Sequence, residues 1–187
     1  QAASIASLSS LESQIRELIG KQSGSWSVYF VDESVTGQRL GVNEQVIYRA
    51  ASVNKLYVLA SLYYLAGKGE IDLDDTVTLQ ARDIQDFGTG SIRYDPSGTV
   101  YSLKTLARLL MEKSDNTAEY ILKVRIGEAK IQNLVEQFGM SQTIIKDNKT
   151  SLVDIALLFK KMKNGEITNK AQTAEMMDFL DQSDFED

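Results

Sequence analysis

The chain has 187 residues, of which 43% are hydrophobic and 25% are charged, and it contains neither histidine nor cysteine. The missing residue types exclude Ser-His-Asp hydrolases, cysteine nucleophiles, thiol redox proteins and the usual zinc sites. The net charge of −6 argues against nucleic acid or an anionic membrane as a partner, because both bind basic surfaces.

Membrane and metal sites are also disfavoured. No apolar stretch is long enough to span a bilayer, so we expect no transmembrane segment in this chain. The first residues carry no basic region or long apolar core, so we expect that any signal peptide has been removed or left out. The nearest acidic cluster is Asp72, Asp74 and Asp75, which lacks the glycine and the final glutamate of a calcium-binding loop. We therefore expect no metal and no other cofactor.

The first predicted elements are a helix and a hairpin. Residues 4–20 have apolar side chains at spacings of three and four, which is typical of an amphipathic helix. Residues 26–31 and 38–42 are predicted to form an antiparallel hairpin around a loop that ends in Thr36-Gly37. A hairpin alone is marginally stable, so we expect a C-terminal segment missing from this chain, or a second chain, to complete the sheet.

After residue 47 the pattern is helical almost to the end of the chain. Breaks that contain glycine separate the predicted helices. These helices cover residues 53–67, 103–113, 117–126, 128–138, 151–163 and 169–181.

The sequence Ser52-Val53-Asn54-Lys55 opens the most apolar of these helices. Serine is a common N-cap, so a structural cap is one interpretation of Ser52. A capping box would place Glu or Gln where Lys55 stands, and the helix dipole disfavours a positive charge there. Because the following helix is apolar on all sides, we expect Lys55 to be at least partly buried, which lowers the pKa of a lysine. A neutral Lys55 could then act as a general base for Ser52.

A second motif, Ser114-Asp115-Asn116, precedes the helix predicted at 117–126. All three residues are good N-caps, and Asn116 with Glu119 has the spacing of a capping box. Capping is therefore the default interpretation of this motif alone. The presence of both motifs in one chain without histidine favours catalysis instead.

With these motifs in this order, the sequence resembles the penicillin-recognising serine enzymes, and specifically the class A β-lactamase-like serine hydrolases. The resemblance covers nearly the whole chain and includes the initial helix and hairpin and residues 48–55, 69–77, 88–92, 101–106 and 109–118. It implies an α/β (α+β) fold of the β-lactamase/transpeptidase type. Residues 1–47 would belong to the sheet subdomain, residues 48–165 would form a helical subdomain, and residues 166–187 would form a helix that leads back toward the missing part of the sheet.

The resemblance also implies roles for individual residues. Ser52 would be the acylated nucleophile and Lys55 its base, while Ser114 would relay a proton to the leaving nitrogen. Asn116 would bind the amide side chain of the substrate and help to orient Lys55. Asp115 would be structural and would accept backbone hydrogen bonds. The backbone N–H of Ser52 would supply half of an oxyanion hole.

The sequence departs from the family pattern in two places. Class A β-lactamases carry a deacylating glutamate in a long loop, but the only carboxylate at 138–150 is Asp147, which we interpret as a turn residue. Glu166 falls in a turn between helices and is not assigned this role. The Lys-Thr-Gly-like strand of the family, with further strands and a closing helix, would lie beyond residue 187.

We therefore expect a serine hydrolase that forms an acyl-enzyme with a β-lactam or a D-Ala-D-Ala-type amide and deacylates slowly. Such an enzyme would be bacterial and extracytoplasmic, with a small-molecule or peptidoglycan-type substrate. The alternative is an inactive binding or scaffold domain that keeps the fold, as the missing glutamate and the missing third motif would suggest. A scaffold gives no reason to combine Ser52, Lys55, Ser114 and Asn116.

Overall fold

The computed structural model describes residues 2–32 and 37–183 of the chain. Within these ranges the chain forms seven α-helices and three two-stranded antiparallel sheets. The helices are α1 (Ala2–Ile19), α2 (Lys55–Gly67), α3 (Leu103–Glu112), α4 (Asn116–Ile126), α5 (Glu128–Gln137), α6 (Leu152–Lys163) and α7 (Lys170–Asp181). The strands are β1 (Val28–Asp32), β2 (Gln38–Val42), β3 (Tyr48–Arg49), β4 (Thr76–Thr78), β5 (Val100–Ser102) and β6 (Lys149–Thr150).

The predicted N-terminal hairpin is present as β1 and β2. Its register pairs Val28 with Val42 and Asp32 with Gln38, and the loop at residues 33–36 lies outside the described residues. On β2, Leu40 and Val42 are buried. On β1, Phe30 is 47% exposed. The hairpin thus buries apolar side chains of β2 while an apolar side chain of β1 faces outward.

Helix α2 runs through the hydrophobic core, as its uniformly apolar sequence predicts. Val58, Leu59, Leu62 and Tyr63 have no exposed surface, and the helix is in contact with α3, α4, α5 and α7. Burying aliphatic side chains of this size contributes about 1.5–3 kcal/mol each. Because α2 is held from several sides, the residues at its N-terminus are fixed in position. No helix in the described part of the chain is both long and apolar enough to cross a bilayer.

The prediction of helices alone between residue 47 and α7 was wrong for four short strands. Strand β3 pairs with β6, and β4 pairs with β5. Each of these strands has two or three residues, which is too short for the alternation of apolar and polar residues to be recognised. The β3–β6 pair is important for the site because it brings the chain just before α6 beside the chain just before α2.

A buried polar network fixes the stretch between α5 and α6 against α2. The Tyr57 hydroxyl bonds Thr150 Oγ1 at 2.6 Å, and Thr143 Oγ1 donates to Asp154 Oδ2 at 2.8 Å. Asp154 also accepts from the backbone N–H of Gln142 at 2.9 Å. Burial raises the pKa of Tyr57, so its hydroxyl stays neutral at physiological pH. The stretch between α5 and α6 is therefore held in a fixed position beside the N-terminus of α2.

Candidate active site

Ser52 lies in a single 3-10 turn, Ala51–Asn54, that leads directly into α2. Helix α2 itself begins at Lys55, and its N-cap residue is Asn54, whose side chain makes no capping hydrogen bond among the described residues. The interpretation of Ser52 as the cap of this helix is therefore wrong. The Ser52 hydroxyl instead accepts a hydrogen bond from Ser114 Oγ at 2.9 Å.

Lys55 is the charged side chain at the centre of the site and is 2% exposed, which confirms its predicted burial. Its Nζ donates to the Ser114 carbonyl at 2.5 Å, to Ser114 Oγ at 2.9 Å and to Asn116 Oδ1 at 2.7 Å. Burial lowers the pKa of Lys55, while the negative charges of Glu119 and Asp115 oppose that shift. The site thus favours a larger neutral fraction than an exposed lysine would have.

Ser114 joins Ser52 to Lys55. Its backbone is in the left-handed region, with φ of 47°, which is uncommon outside glycine and is often found where function requires it. Its carbonyl accepts from Thr89 Oγ1 at 2.7 Å as well as from Lys55. The Ser114 hydroxyl lies 2.9 Å from both Ser52 Oγ and Lys55 Nζ. A continuous hydrogen-bonded path therefore runs from Ser52 through Ser114 to Lys55.

Asn116 is the first residue of α4 and fixes Lys55 from the other side. Its Oδ1 accepts from Lys55, and its Nδ2 donates to the carbonyl of Phe87 at 2.9 Å. The capping interpretation of Asn116 is wrong, because the N-cap of α4 is Asp115. A Cβ at Gly88 would overlap the Asn116 amide, so glycine is required there for the loop to approach this closely.

Asp115 is 1% exposed and ties the loop before α4 to a neighbouring loop. Its Oδ1 accepts from the backbone N–H groups of Thr117 at 2.9 Å and Ala118 at 3.0 Å. Its Oδ2 accepts from those of Ser91 at 2.6 Å and Ile92 at 2.9 Å. One buried carboxylate therefore satisfies four backbone donors and holds Ser114 and Asn116 on either side of it.

Replacing Asp115 with alanine is expected to lower the free energy of unfolding by about 3 kcal/mol, since it removes a helix cap and leaves buried N–H groups unpaired. Chemical denaturation measures this loss. Asp147→Ala is the control, because Asp147 is exposed and pairs only loosely with Lys149 at 3.7 Å, so its loss is expected to stay within about 0.5 kcal/mol. Equal losses for the two variants would contradict the structural role of Asp115.

A pocket of about 680 Å³ opens beside Ser52 and Lys55, a size typical of small-molecule sites. Phe87, 63% exposed, lies on its wall. Other lining residues are Gln85, Asn116, Glu119, Tyr120, Val124 and Asn148. The pocket thus combines an apolar wall with a small set of polar groups next to the candidate nucleophile.

Two of these lining residues were missed by the sequence analysis. The carboxylate of Glu119 lies 3.8 Å from Lys55 Nζ, and the spacing of three residues from Asn116 could have placed both side chains on one helix face. Asn148 has φ of 53°, its carbonyl accepts from the Ala50 N–H at 2.8 Å, and its Oδ1 is buried without a partner among the described residues. No sequence signal indicated Asn148, because β3–β6 pairing brings it there.

The remaining carboxylates considered from sequence lie elsewhere. Asp147 is exposed, in a turn, and is not among the residues of this pocket. Glu166 is exposed near the end of α6, where a hydrogen bond from Lys161 at 2.7 Å lowers the pKa of its carboxyl. Over the described ranges, no cluster of acidic side chains has an arrangement that could hold a metal ion.

Comparisons with known proteins show which family and which solved structures the chain is similar to. The model of the β-lactamase enzyme family matches residues 10–187. The solved structure of PBP-A is 26% identical, with a TM-score of 0.89, and the match covers 95% of this chain and 70% of that protein. A mutant of PBP-A with the same coverage has been solved as an acyl-enzyme complex with penicillin G. A sequence search of curated proteins gives no match.

More distant structures show the same fold. A β-lactamase from Chitinophaga pinensis is 18% identical, with a TM-score of 0.85, and the match covers 92% of this chain and 70% of that one. An ancestral class A β-lactamase is 19% identical, also with a TM-score of 0.85, over 94% of this chain and 72% of that one. These matches confirm the β-lactamase-like fold class expected from the sequence.

Proposed function

The chain belongs to the β-lactamase enzyme family, and on that premise we propose that it is a serine hydrolase whose Ser52 forms an acyl-enzyme with a β-lactam or a D-Ala-D-Ala-type amide. The observation that carries the proposal is the hydrogen-bonded path from Ser52 through Ser114 to a buried Lys55. A scaffold has no need for a buried lysine connected to an accessible hydroxyl. A catalyst that lacks histidine can use this arrangement to activate a serine hydroxyl.

In the proposed acylation, Ser52 Oγ attacks the carbonyl carbon of the amide. The Ser52 proton passes to Ser114 Oγ, and the proton of Ser114 passes to the lone pair of neutral Lys55. When the C–N bond breaks, Ser114 donates a proton to the leaving nitrogen and recovers one from Lys55. The bond formed is the Ser52 ester, and the proton lost by Ser52 is balanced by the one gained by the leaving group.

Asn116 and the start of α2 would orient the substrate. The Asn116 amide already holds Lys55 and the Phe87 carbonyl, and it borders the pocket, so a substrate amide can bind against it. The backbone N–H of Ser52, in the turn before α2, would donate to the developing oxyanion. Phe87 offers an apolar surface for the acyl side chain.

Slow deacylation follows from the short connection between α5 and α6. The one carboxylate in this connection is that of Asp147, which is exposed and forms an ion pair with Lys149. A water molecule beside the ester would therefore lack the loop carboxylate that class A β-lactamases use. We propose that the acyl-enzyme is long-lived and that the protein behaves as a penicillin-binding protein more than as an efficient β-lactamase.

This activity also suggests where the protein works. A D-Ala-D-Ala-type amide in peptidoglycan is reached outside the cytoplasm, so we propose an extracytoplasmic location in a bacterium. The net charge of −6 and the absence of a basic surface motif in the sequence agree with a small-molecule or peptidoglycan-type substrate rather than nucleic acid.

The test uses the full-length protein with a fluorescent penicillin and a chromogenic cephalosporin. We expect one label per molecule, and with the cephalosporin a rapid burst of about one equivalent followed by slow turnover. Rapid steady hydrolysis would contradict slow deacylation. If the protein is not labelled at any penicillin concentration, the proposal that it is a serine hydrolase is wrong, and an inactive binding or scaffold domain is favoured.

A further inference from the structure

Among the carboxylates that line the pocket, that of Glu119 lies next to Lys55, the candidate base. Glu119 lies one turn along α4 from Asn116, so both side chains face α2. Its Oε2 is 3.8 Å from Lys55 Nζ, and its side chain is 22% exposed. An ion pair in such a sheltered position is screened by solvent far less than a surface pair.

The contacts of Lys55 explain why a fourth neighbour is needed. Neutral Lys55 has two N–H groups, which the Ser114 carbonyl and Asn116 Oδ1 can accept, and a lone pair that can face Ser114 Oγ. None of these three groups carries a net charge. Once Lys55 takes a proton, a cation stands in a buried site, where an unpaired charge is costly.

We propose that Glu119 is a positioning residue that stabilises the cationic form of Lys55, so that Lys55 can receive the Ser52 proton through Ser114. The inference rests on the proposed function for its role in catalysis, but the pairing of Glu119 with Lys55 is independent of any substrate. Glu119 acts through Lys55 and is not itself assigned contact with the reacting atoms.

The other charged groups around Lys55 leave this role to Glu119. The charge of Asp115 also raises the pKa of Lys55, but less than that of Glu119, and its oxygens accept from four backbone N–H groups. Lys123 and Glu128, farther along the pocket, pair with each other at 3.3 Å. Glu128 therefore provides a matched control: a carboxylate in the same pocket whose cationic partner is a different lysine.

The sign of the pH effect follows from these contacts. Burial lowers the pKa of Lys55, and the negative charge of Glu119 raises it. Removing that charge with Glu119→Gln should lower the pKa of Lys55 further. Because acylation needs neutral Lys55, the acid limb of its pH profile should move to lower pH, by about one unit. The plateau rate should also fall, roughly tenfold, because Lys55 becomes a weaker base.

The experiment measures the second-order acylation rate by a fluorescent penicillin from about pH 5 to about pH 10, which covers pH values below the ordinary lysine pKa of about 10.4. Wild type, Glu119→Gln, Glu119→Asp and Glu128→Gln are compared in the full-length protein. We expect the acid limb of the pH profile to move to lower pH in Glu119→Gln and to stay at its wild-type position in Glu128→Gln. In Glu119→Asp, which keeps the negative charge, we expect the limb to lie close to its wild-type position. A lower rate with an unmoved limb in Glu119→Gln would overturn the proposal, because a purely structural role predicts that result.

A second measurement does not depend on catalysis. The pH titration of the Lys55 side chain is followed by NMR on lysine labelled with ¹³C, with the signal assigned by its loss in Lys55→Met. A lower Lys55 pKa in Glu119→Gln supports the pairing even if no penicillin reacts, in which case only the proposed function fails. An unchanged or higher Lys55 pKa overturns the inference whether or not the protein is an enzyme.

Discussion

Ser52→Ala is expected to lose covalent labelling by a fluorescent penicillin, with the acylation rate falling at least about a thousandfold. The reason is that Ser52 Oγ is the hydroxyl at the end of the path to Lys55 and borders the pocket. Alanine keeps the backbone of the 3-10 turn and removes only the nucleophile. The measurement is the time course of labelling on a denaturing gel.

Ser61→Ala is the matched control. Ser61 is a buried serine of α2, and its Oγ has no partner among the described residues, so its removal should leave both folding and labelling unchanged. If Ser52→Ala labels at the rate of Ser61→Ala, another group in the protein is the nucleophile and the assignment of Ser52 is wrong.

Lys55→Met is expected to slow acylation by about 10²–10⁴-fold, which is the usual contribution of a general base. Methionine has a similar length and suits the 2% exposed position, but it cannot accept the proton that Ser114 passes on. Asn116 Oδ1 also loses its donor and the Ser114 carbonyl keeps only Thr89 Oγ1, so thermal melting is needed to show that the variant is folded.

The control for Lys55→Met is Lys170→Met, a change of the same kind at the exposed first residue of α7. Its labelling rate should match that of wild type. A folded Lys55→Met protein that acylates within about twofold of wild type would show that Lys55 is not the base, since a general base contributes far more.

The long helices could be predicted from sequence because their patterns extend over three or more turns. The boundaries of α3 to α7 agree with the predicted ranges to within one residue, and glycine marks several of the breaks. The burial of Lys55 followed from the apolar sequence after it, because a helix that is apolar on all sides must lie in a core. In both cases a local pattern was enough.

The short strands and the connection around Asn148 could not be predicted in the same way. The β3–β6 pair joins residues about a hundred positions apart through only two residues on each side. Such pairing depends on how α2, α5 and α6 pack, and no local sequence pattern encodes it. The location of Asn148 beside the pocket is a consequence of that packing.

Capping signals gave the least reliable predictions. Serine, aspartate and asparagine all suit an N-cap, so Ser114, Asp115 and Asn116 could not be ranked from sequence. The structure assigns the cap to Asp115, which leaves Asn116 and Glu119 directed at Lys55. A spacing of three residues suits both a capping box and a shared helix face, so the spacing of Asn116 and Glu119 alone could not distinguish the two.

The central claim is that Ser52 Oγ carries the acyl group, and mapping of the adduct tests it most directly. The full-length protein is treated with penicillin G, quenched in acid, digested and analysed by mass spectrometry. We predict an added mass of one penicillin G on the peptide that contains Ser52, with fragmentation placing it on Ser52 itself. An adduct on any other residue, or unmodified Ser52 peptide after complete labelling of the protein, would contradict this account.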